Sequence, residues 1–411
     1  MVTTKYMKKK PSILLILLIL VVPIIYFVLK NREISSKNIK QNSIEKYAFF
    51  ASDKNSVLSL DNQTSIFSIK NTNIHTVSDT SLTITMFNFE NQCIYYHNFY
   101  KKELLKKVCL EAEGPNGIGG SYAFNGLISL GDSLIFWSQR NRKVYLIDKN
   151  AKVTNSHVVN SMPTKDKFSQ FGGTVPYVTT GTPMTYLNDK LYFTGLVTGE
   201  GLGDDSLNRP SFMSFDLKTK EIKYLQGYPR IYDNGDWGSF QYRIMYICYN
   251  KISNEFVFSF PASHYIYTYN PINNKRRVIY AGSKNITEIK SKDSYFNGGM
   301  NENLRHFFKN PSYDNIIYDE YRKMYYRIVS LPSNPDCSAK DMELPVEQRC
   351  PKKLSLLIMN EHFEIVGESE LPKKYFYLNN YFVDKQGLWI ADPLQKTEDL
   401  LKFELFEIKA K

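Results

Sequence analysis

One unit recurs along this chain: a tight polar turn followed at once by an apolar strand. It reads "ENQCIYY" from residue 90, "GDSLIFW" from 131, "NDKLYFT" from 188, "SNEFVFS" from 253, "YRKMYYR" from 321 and "KQGLWIA" from 385. Most copies are followed by an alternating strand ending in Asp or Asn, a Lys- or Asn-rich turn and a further strand, as in "VYLIDKNAKV", "FMSFDLKTKEI", "YTYNPINNKRR" and "LLIMNEHFEIV". Strand, tight turn, strand, loop, strand, tight turn, strand describes a module of four antiparallel strands. Sheets of this kind need their faces buried and their edges protected, and a radial arrangement does both. The repeat predicts an all-β fold, a six-bladed β-propeller of four-stranded blades over residues 47–411.

Composition agrees: 30 Tyr and 26 Phe favour strands, and no long 3.6-residue periodicity appears after residue 50. The last module, "YFYLNNYFVDKQGLWIADP" then "KFELFEIK", has three strands, and the first also looks one short. The early strands "VLSL" and "SIFSI", between Val57 and Ile69, precede the first repeat. One of them is expected to complete the last sheet and close the ring, since an open ring leaves an unpaired edge.

The formal charge of +11 invites a nucleic-acid reading, but residues 1–46 carry nine Lys or Arg against Glu33 and Glu45, which leaves +4 for the rest. Most of the basicity flanks an apolar run, "ILLILLILVVPIIYFVL" from Ile13 to Leu29, so nucleic acid is not an expected partner. That run is long enough to span a bilayer as a helix and is preceded by Lys8, Lys9 and Lys10. No small-residue cleavage site follows it. The predicted organisation is a cytoplasmic basic tail (1–12), a transmembrane signal anchor (13–29), a polar tether (30–46) and a propeller in the periplasm, with secretion after signal-peptide cleavage as the alternative.

Five cysteines suit an oxidising compartment if most are paired. Cys93 and Cys109 lie on two runs joined by the turn at Lys101 and Lys102 and can face each other across a hairpin; Cys337 and Cys350 bracket the polar insertion "SAKDMELPVEQR". Cys248, inside "IMYICYN", is left as a buried core residue.

The glycine-rich stretch "EAEGPNGIGG", Glu111 to Gly120, invites a phosphate-binding reading. Spacing defeats it: Gly120 and Ser121 stand where a P-loop needs Lys and Ser/Thr, and Tyr122 replaces the third glycine of a dinucleotide fingerprint. The stretch instead turns the corner between two blades, its glycines allowing positive φ. The element Gly114, Pro115, Asn116 and Gly117, directly before an inward strand in a chain of six four-stranded repeats, resembles an uncharacterised family of six-bladed β-propeller proteins from Gram-negative cell envelopes. That resemblance covers roughly residues 50–408 and implies the fold and an extracytoplasmic address; it implies no activity. Many members begin with a lipoprotein signal, whereas the first cysteine here is Cys93.

No catalytic constellation is complete. "GDSL" at Gly131 to Leu134 places Ser133 in a hairpin turn, where the esterases bearing that motif need a strand-to-helix elbow. The six histidines fall in different modules without zinc spacing, and "YDNGDWG" lacks the alternating carboxylates of a calcium loop, so neither metal nor cofactor is expected.

In a propeller blade the first and third turns share one face, and these are the tight ones. The long connections, Glu111 to Ser121, Asn160 to Thr182, Gly199 to Pro210, Gly227 to Gln241, Gly282 to Pro311 and Leu331 to Lys352, all fall on the other. A repeat protein that gathers its insertions on one face commonly binds there. The binding candidates on those loops are Tyr177, Asp204, Asp205, Arg209, Arg230, Asp233, Asp236, Trp237, Arg305 and His306. Rings for stacking and charges for orientation suit an envelope glycan, a peptide or a protein partner. The sequence thus predicts a membrane-anchored binding protein without chemistry of its own; the alternative is a glycan-directed lyase or hydrolase using carboxylate, Arg or His at the funnel.

Overall fold

The computed structural model describes residues 35–39, 45–78, 81–120, 125–131, 133–159, 174–197, 210–233, 235–237, 240–292, 300–333, 352–372, 378–394 and 399–411. The apolar run 13–29 lies outside them, as do Cys337 and Cys350. Among the described residues no helix is long and apolar enough to cross a membrane.

Six antiparallel sheets make up the fold. Strand β1 (Tyr47–Ser59) comes first in the chain but belongs to the last sheet. Blade one is β2 (Ile69–Ser78), β3 (Ser81–Asn88), β4 (Cys93–Asn98) and β5 (Glu103–Cys109); blade two is β6 (Gly126–Leu130), β7 (Ser133–Ser138), β8 (Lys143–Ile147) and β9 (Val153–Val158). Blade three has a divided inner strand, β10 (Thr174–Pro176) and β11 (Thr185–Leu187), then β12 (Lys190–Val197), β13 (Pro210–Asp216) and β14 (Ile222–Gly227). Blade four is β15 (Tyr246–Asn250), β16 (Glu255–Ser259), β17 (Tyr265–Tyr269) and β18 (Arg276–Tyr280). Helix α1 (Met300–Lys309) precedes blade five, which is β19 (Ser312–Asp319), β20 (Met324–Leu331), β21 (Lys353–Met359) and β22 (Ile365–Glu370). Blade six is β23 (Tyr381–Val383), β24 (Leu388–Ala391) and β25 (Leu400–Ala410), completed on its outside by β1.

Of the two early segments, the one that begins at Val57 closes the ring, within a β1 that pairs with β25 from Tyr47↔Ala410 to Ser59↔Leu400; the other, expected as a strand, is a turn over residues 65–68, and only its Ile69 enters β2. The Asp and Asn residues that end strands in the repeat explain the tight turns. Asp148 accepts the N–H groups of Asn150 and Lys152, Asp216 those of Lys218 and Thr219, and Asn360 those of His362 and Glu364. Asn250, Asp319 and Asp384 do the same in first-to-second turns. A short side chain that mimics the backbone fixes such hairpins at small entropic cost.

The first module is shifted by one strand from the sequence reading. "ENQCIYY" spans the second-to-third connection of blade one and not its first-to-second turn, because β2 (IKNTNIHTVS) is an inner strand too polar to read as one. The glycine-rich corner behaves as predicted. Gly114 and Gly119 have φ near +90°, Gly117 N–H bonds Gly114 O, and Ile118 is fully buried between blades one and two. Asn116 Oδ1 accepts the Val153 N–H and ties the corner to blade two. Cys93 and Cys109, opposite each other on β4 and β5, form the predicted disulfide, and Cys248 is free and buried.

Aromatic side chains from neighbouring sheets interlock to bury the faces. Phe212 of blade three packs 5.0 Å from Phe256 and 4.9 Å from Phe258 of blade four. Phe99 meets Phe382 and Trp389 at 4.9 Å where blade one abuts blade six. Each such ring contributes about 1.5–3 kcal/mol by leaving water, and each of these contacts joins two blades.

Candidate functional site

The six inner strands, β2, β6, β10 with β11, β15, β19 and β23, surround the axis. Inner strands have one unpaired edge, so the axis is lined with backbone N–H and C=O groups that need either partners or water. Blade three supplies partners. Its inner strand is split because Thr174 pairs with Val197 at one end of β12 and Leu187 with Lys190 at the other, and residues 177–184 leave the sheet between them. They form a small hairpin, with Thr179 and Thr182 bonded through both backbone and hydroxyls (Oγ1 to Oγ1 2.8 Å).

This hairpin reaches the inner strand of each other blade. Thr180 N–H donates to Lys70 O of blade one, and Thr180 Oγ1 accepts the Thr72 N–H. Val178 packs on Gly126 of blade two so closely that a Cβ there would lie 2.2 Å from its Cγ1. Gly181 O accepts the Ile247 N–H of blade four, and Gly181 lies flat on the Asn315 side chain of blade five. The Tyr381 hydroxyl of blade six lies 3.5 Å from Thr180 O. Lys70, Ile247 and Tyr381 all stand where their strands enter from the long-loop side, so the plug sits at that end.

Below the plug lies a cavity of about 390 Å³. Its floor is Thr180, Pro183 and Thr185; its walls include Thr72, Asn73, Tyr249, Tyr318 and Tyr381; Lys251, Glu320 and Tyr321, from the first-to-second turns of blades four and five, stand at its mouth. The funnel therefore opens on the tight-turn face. Its charged groups form a pair, Lys251 Nζ to Glu320 Oε2 at 2.5 Å, which is exposed and contributes orientation more than energy. Burial raises the Tyr249, Tyr318 and Tyr381 phenols and pushes the Cys248 thiol far up. At neutral pH these groups are protonated, hydrogen-bonding phenols and an inert thiol, neither bases nor nucleophiles. Among the described residues no His, Cys, Asp or Glu cluster could hold a metal.

The sequence candidates lie elsewhere. Asp204, Asp205 and Arg209 are outside the described residues. Tyr177 is half-buried at the base of the plug, its N–H on Thr194 O. Arg230 and Asp233 begin and end a 3-10 turn, and Arg305 is exposed on α1. Asp236, Trp237 and His306 do come together, as part of the packing beneath the long loops. Trp237 is buried 5.4 Å from Tyr232 and 5.7 Å from Tyr242, whose ring is 5.8 Å from His306. Asp236 Oδ2 is 3.6 Å from Lys292 Nζ, and burial together with the Lys292 charge holds the His306 pKa below its ordinary value.

In the sequence the plug is the end of the connection Asn160 to Thr182. A Thr-Thr-Gly-Thr run between Pro176 and Pro183 is the available signal, and it looks like any surface turn until its five partners are known.

A ring of six sheets, with an axis plugged at one end and a tyrosine-rich funnel at the other, defines a six-bladed β-propeller. A family described as a domain of unknown function (DUF4221) matches residues 87–370, and the chain belongs to it. The structure of a DUF4221 member from Bacteroides vulgatus is similar, with a TM-score of 0.72 and 22% identity over 89% of this chain and 99% of that one. A Bacteroides fragilis protein described as exported is similar at a TM-score of 0.51 and 12% identity, over 89% of this chain and 99% of that one. No curated protein matches. The propeller family expected from the Gly-Pro-Asn-Gly element is thus the one found.

Proposed function

We propose that this protein is a membrane-anchored, periplasmic binding protein whose ligand, a sugar or short peptide, enters the axial funnel. The observation that carries the reading is the blind funnel: closed by a hairpin bonded across the ring, and lined by rings, hydroxyls, free strand edges and a balanced ion pair. Such a wall stacks on and hydrogen-bonds a neutral or zwitterionic ligand of a few hundred Å³. The apolar run 13–29, the Cys93–Cys109 disulfide and the likeness to an exported protein support the address. A thermal-shift series with saccharides and short peptides tests it: a binder raises the melting temperature of the parent chain, and Thr185→Trp, which fills the funnel floor, removes that rise. Ligand stabilisation that survives Thr185→Trp would place the site outside the funnel.

A second reading, a partner protein on the long-loop face, is favoured by the gathering of the long connections on that side; crosslinking from Arg305, exposed there, tests it. The lyase or hydrolase alternative needs an acid and a base at the funnel. The carboxylate among its lining residues, Glu320, is tied to Lys251, and turnover of a glycan that vanishes in Glu320→Gln would displace the binding reading.

A further inference from the structure

Residues 35–39 lie within the segment read as a polar tether, yet they are docked. Ser36 O accepts the Ile289 N–H at 3.0 Å and the His264 Nε2–H at 2.9 Å, while Ser36 Oγ donates to Glu288. Asn38 N–H bonds Thr287 O, and its side-chain amide donates to Ser283 O and Ile286 O at 2.7 and 2.6 Å. The Tyr280 hydroxyl donates to Asn38 Oδ1. Lys37 and Glu288 form an antiparallel bridge. These contacts are made with residues 264, 280 and 283–289, which lie in the second-to-third connection of blade four, at the end of β18 and in the connection leaving it. Both are on the long-loop side of the ring, at the boundary of blades four and five, where Glu368 of β22 accepts from Ser283 and Asn285.

We infer that this docked segment is an orienting latch: it holds the long-loop rim of blades four and five against the lipid bilayer and turns the funnel mouth away from it. The inference rests on the membrane-anchor part of the proposed function. The steps from Leu29, the end of the apolar run, to Ser35 span at most about 20 Å even when fully extended. A free tether running to Tyr47 would allow roughly three times that reach and any orientation. The funnel mouth is a further strand length away, about 17–20 Å. Lys30, Arg32 and Glu33 precede the latch in sequence, Lys37 is exposed on it, and Lys290 beside it is exposed 3.6 Å from Glu288; four basic against two acidic groups leave +2, a modest positive balance towards anionic headgroups.

The test uses the full chain in vesicles of phosphatidylethanolamine and phosphatidylglycerol carrying a headgroup quencher. A fluorophore is placed through a clickable amino acid at Lys290, on the latch side of blade four, or at Lys275, in the tight turn at the other end of the same blade. Quenching several-fold stronger at Lys290 than at Lys275, with the difference lost in Asn38→Ala, is the expected result. Equal quenching at the two positions, stronger quenching at Lys275, or a difference that persists in Asn38→Ala overturns the latch. A chain that does not float with the vesicles overturns the anchor reading instead, and the latch falls with it.

Discussion

Buried charge in this protein is placed where loops must be held. Arg327 on β20 is fully buried; its guanidinium donates to Ser259 Oγ and to Ala281 O and Ser263 O, and it lies 3.7 Å from the centre of the Tyr313 ring. It clamps two long-side connections of blade four to blade five. Lysine cannot reproduce that fork, so Arg327→Lys is expected to cost about 3 kcal/mol by leaving buried acceptors unpaired, read as a lower urea midpoint. Lys352 does similar work for α1. Its ammonium donates to Phe307 O, Asn310 O and Ser312 Oγ at the helix C-terminus, where a cation also suits the dipole. Burial nonetheless lowers its pKa from 10.5 to about 7, against the opposing pull of the Asp314 carboxylate. Between those two values the unfolded chain binds the extra proton, so this residue makes stability rise with pH from about 7 towards about 10.5. Urea unfolding across that range should show the rise in the parent chain and a smaller one in Lys352→Met. The opposite slope would mean that the ammonium is stabilised in place. Neither residue was legible in the sequence: an arginine in "YYRIV" and a lysine after a proline carry no mark of what surrounds them.

Among the elements, the hairpin turns were readable and the plug was not. A turn is decided by four or five neighbours, and Asp148, Asp216, Asn250 and Asn360 show that decision in their hydrogen bonds to backbone two to four residues on. The hairpin at residues 177–184 is decided by five strands brought from 50 to 200 residues away, and by the gap in blade three that lets it leave the sheet. Gly181 is its tightest point: an added Cβ would come 2.3 Å from Asn315 Oδ1, and that side chain is itself held by Leu378 O. Gly181→Ala should therefore destabilise by about 1–3 kcal/mol and weaken any funnel ligand, whereas Gly131→Ala, in an open turn with nothing within 4 Å but at φ +62°, should cost about 1 kcal/mol of stability and leave ligand binding unchanged. Ligand-induced shifts of the two variants separate plug from turn. The same contrast explains the first module: an inner strand carrying "NTN" has no apolar face to announce it, and its polar groups find partners such as Thr180, Asn380 and Leu127 O only once the ring is assembled.

At the scale of the molecule, ring closure joins the two ends of the domain through β1 and β25. A chain beginning at residue 60 lacks β1, which exposes the β25 edge and the Phe49 pocket against Tyr326. Loss of a single cooperative urea transition is the expected outcome, and an unchanged transition would show that five and three-quarter blades suffice. The sequence by itself determined the repeat, the strand count per sheet, the need for an early strand to close the ring, the corner at Glu111 to Gly120 and the Cys93–Cys109 pair, because each is written in local periodicity or in a short turn; which early segment closes the ring was decided by the structure. It also sorted the connections by face, which follows from strand parity alone. Only the tertiary structure showed the axial cavity. The candidates Asp236, Trp237 and His306 are consumed in packing under their loops, and the cavity lies at the opposite end of the axis, bounded by residues that are unremarkable one by one. A cavity is the volume that side chains from several blades fail to fill, and no single stretch of chain carries the information on what the others leave empty.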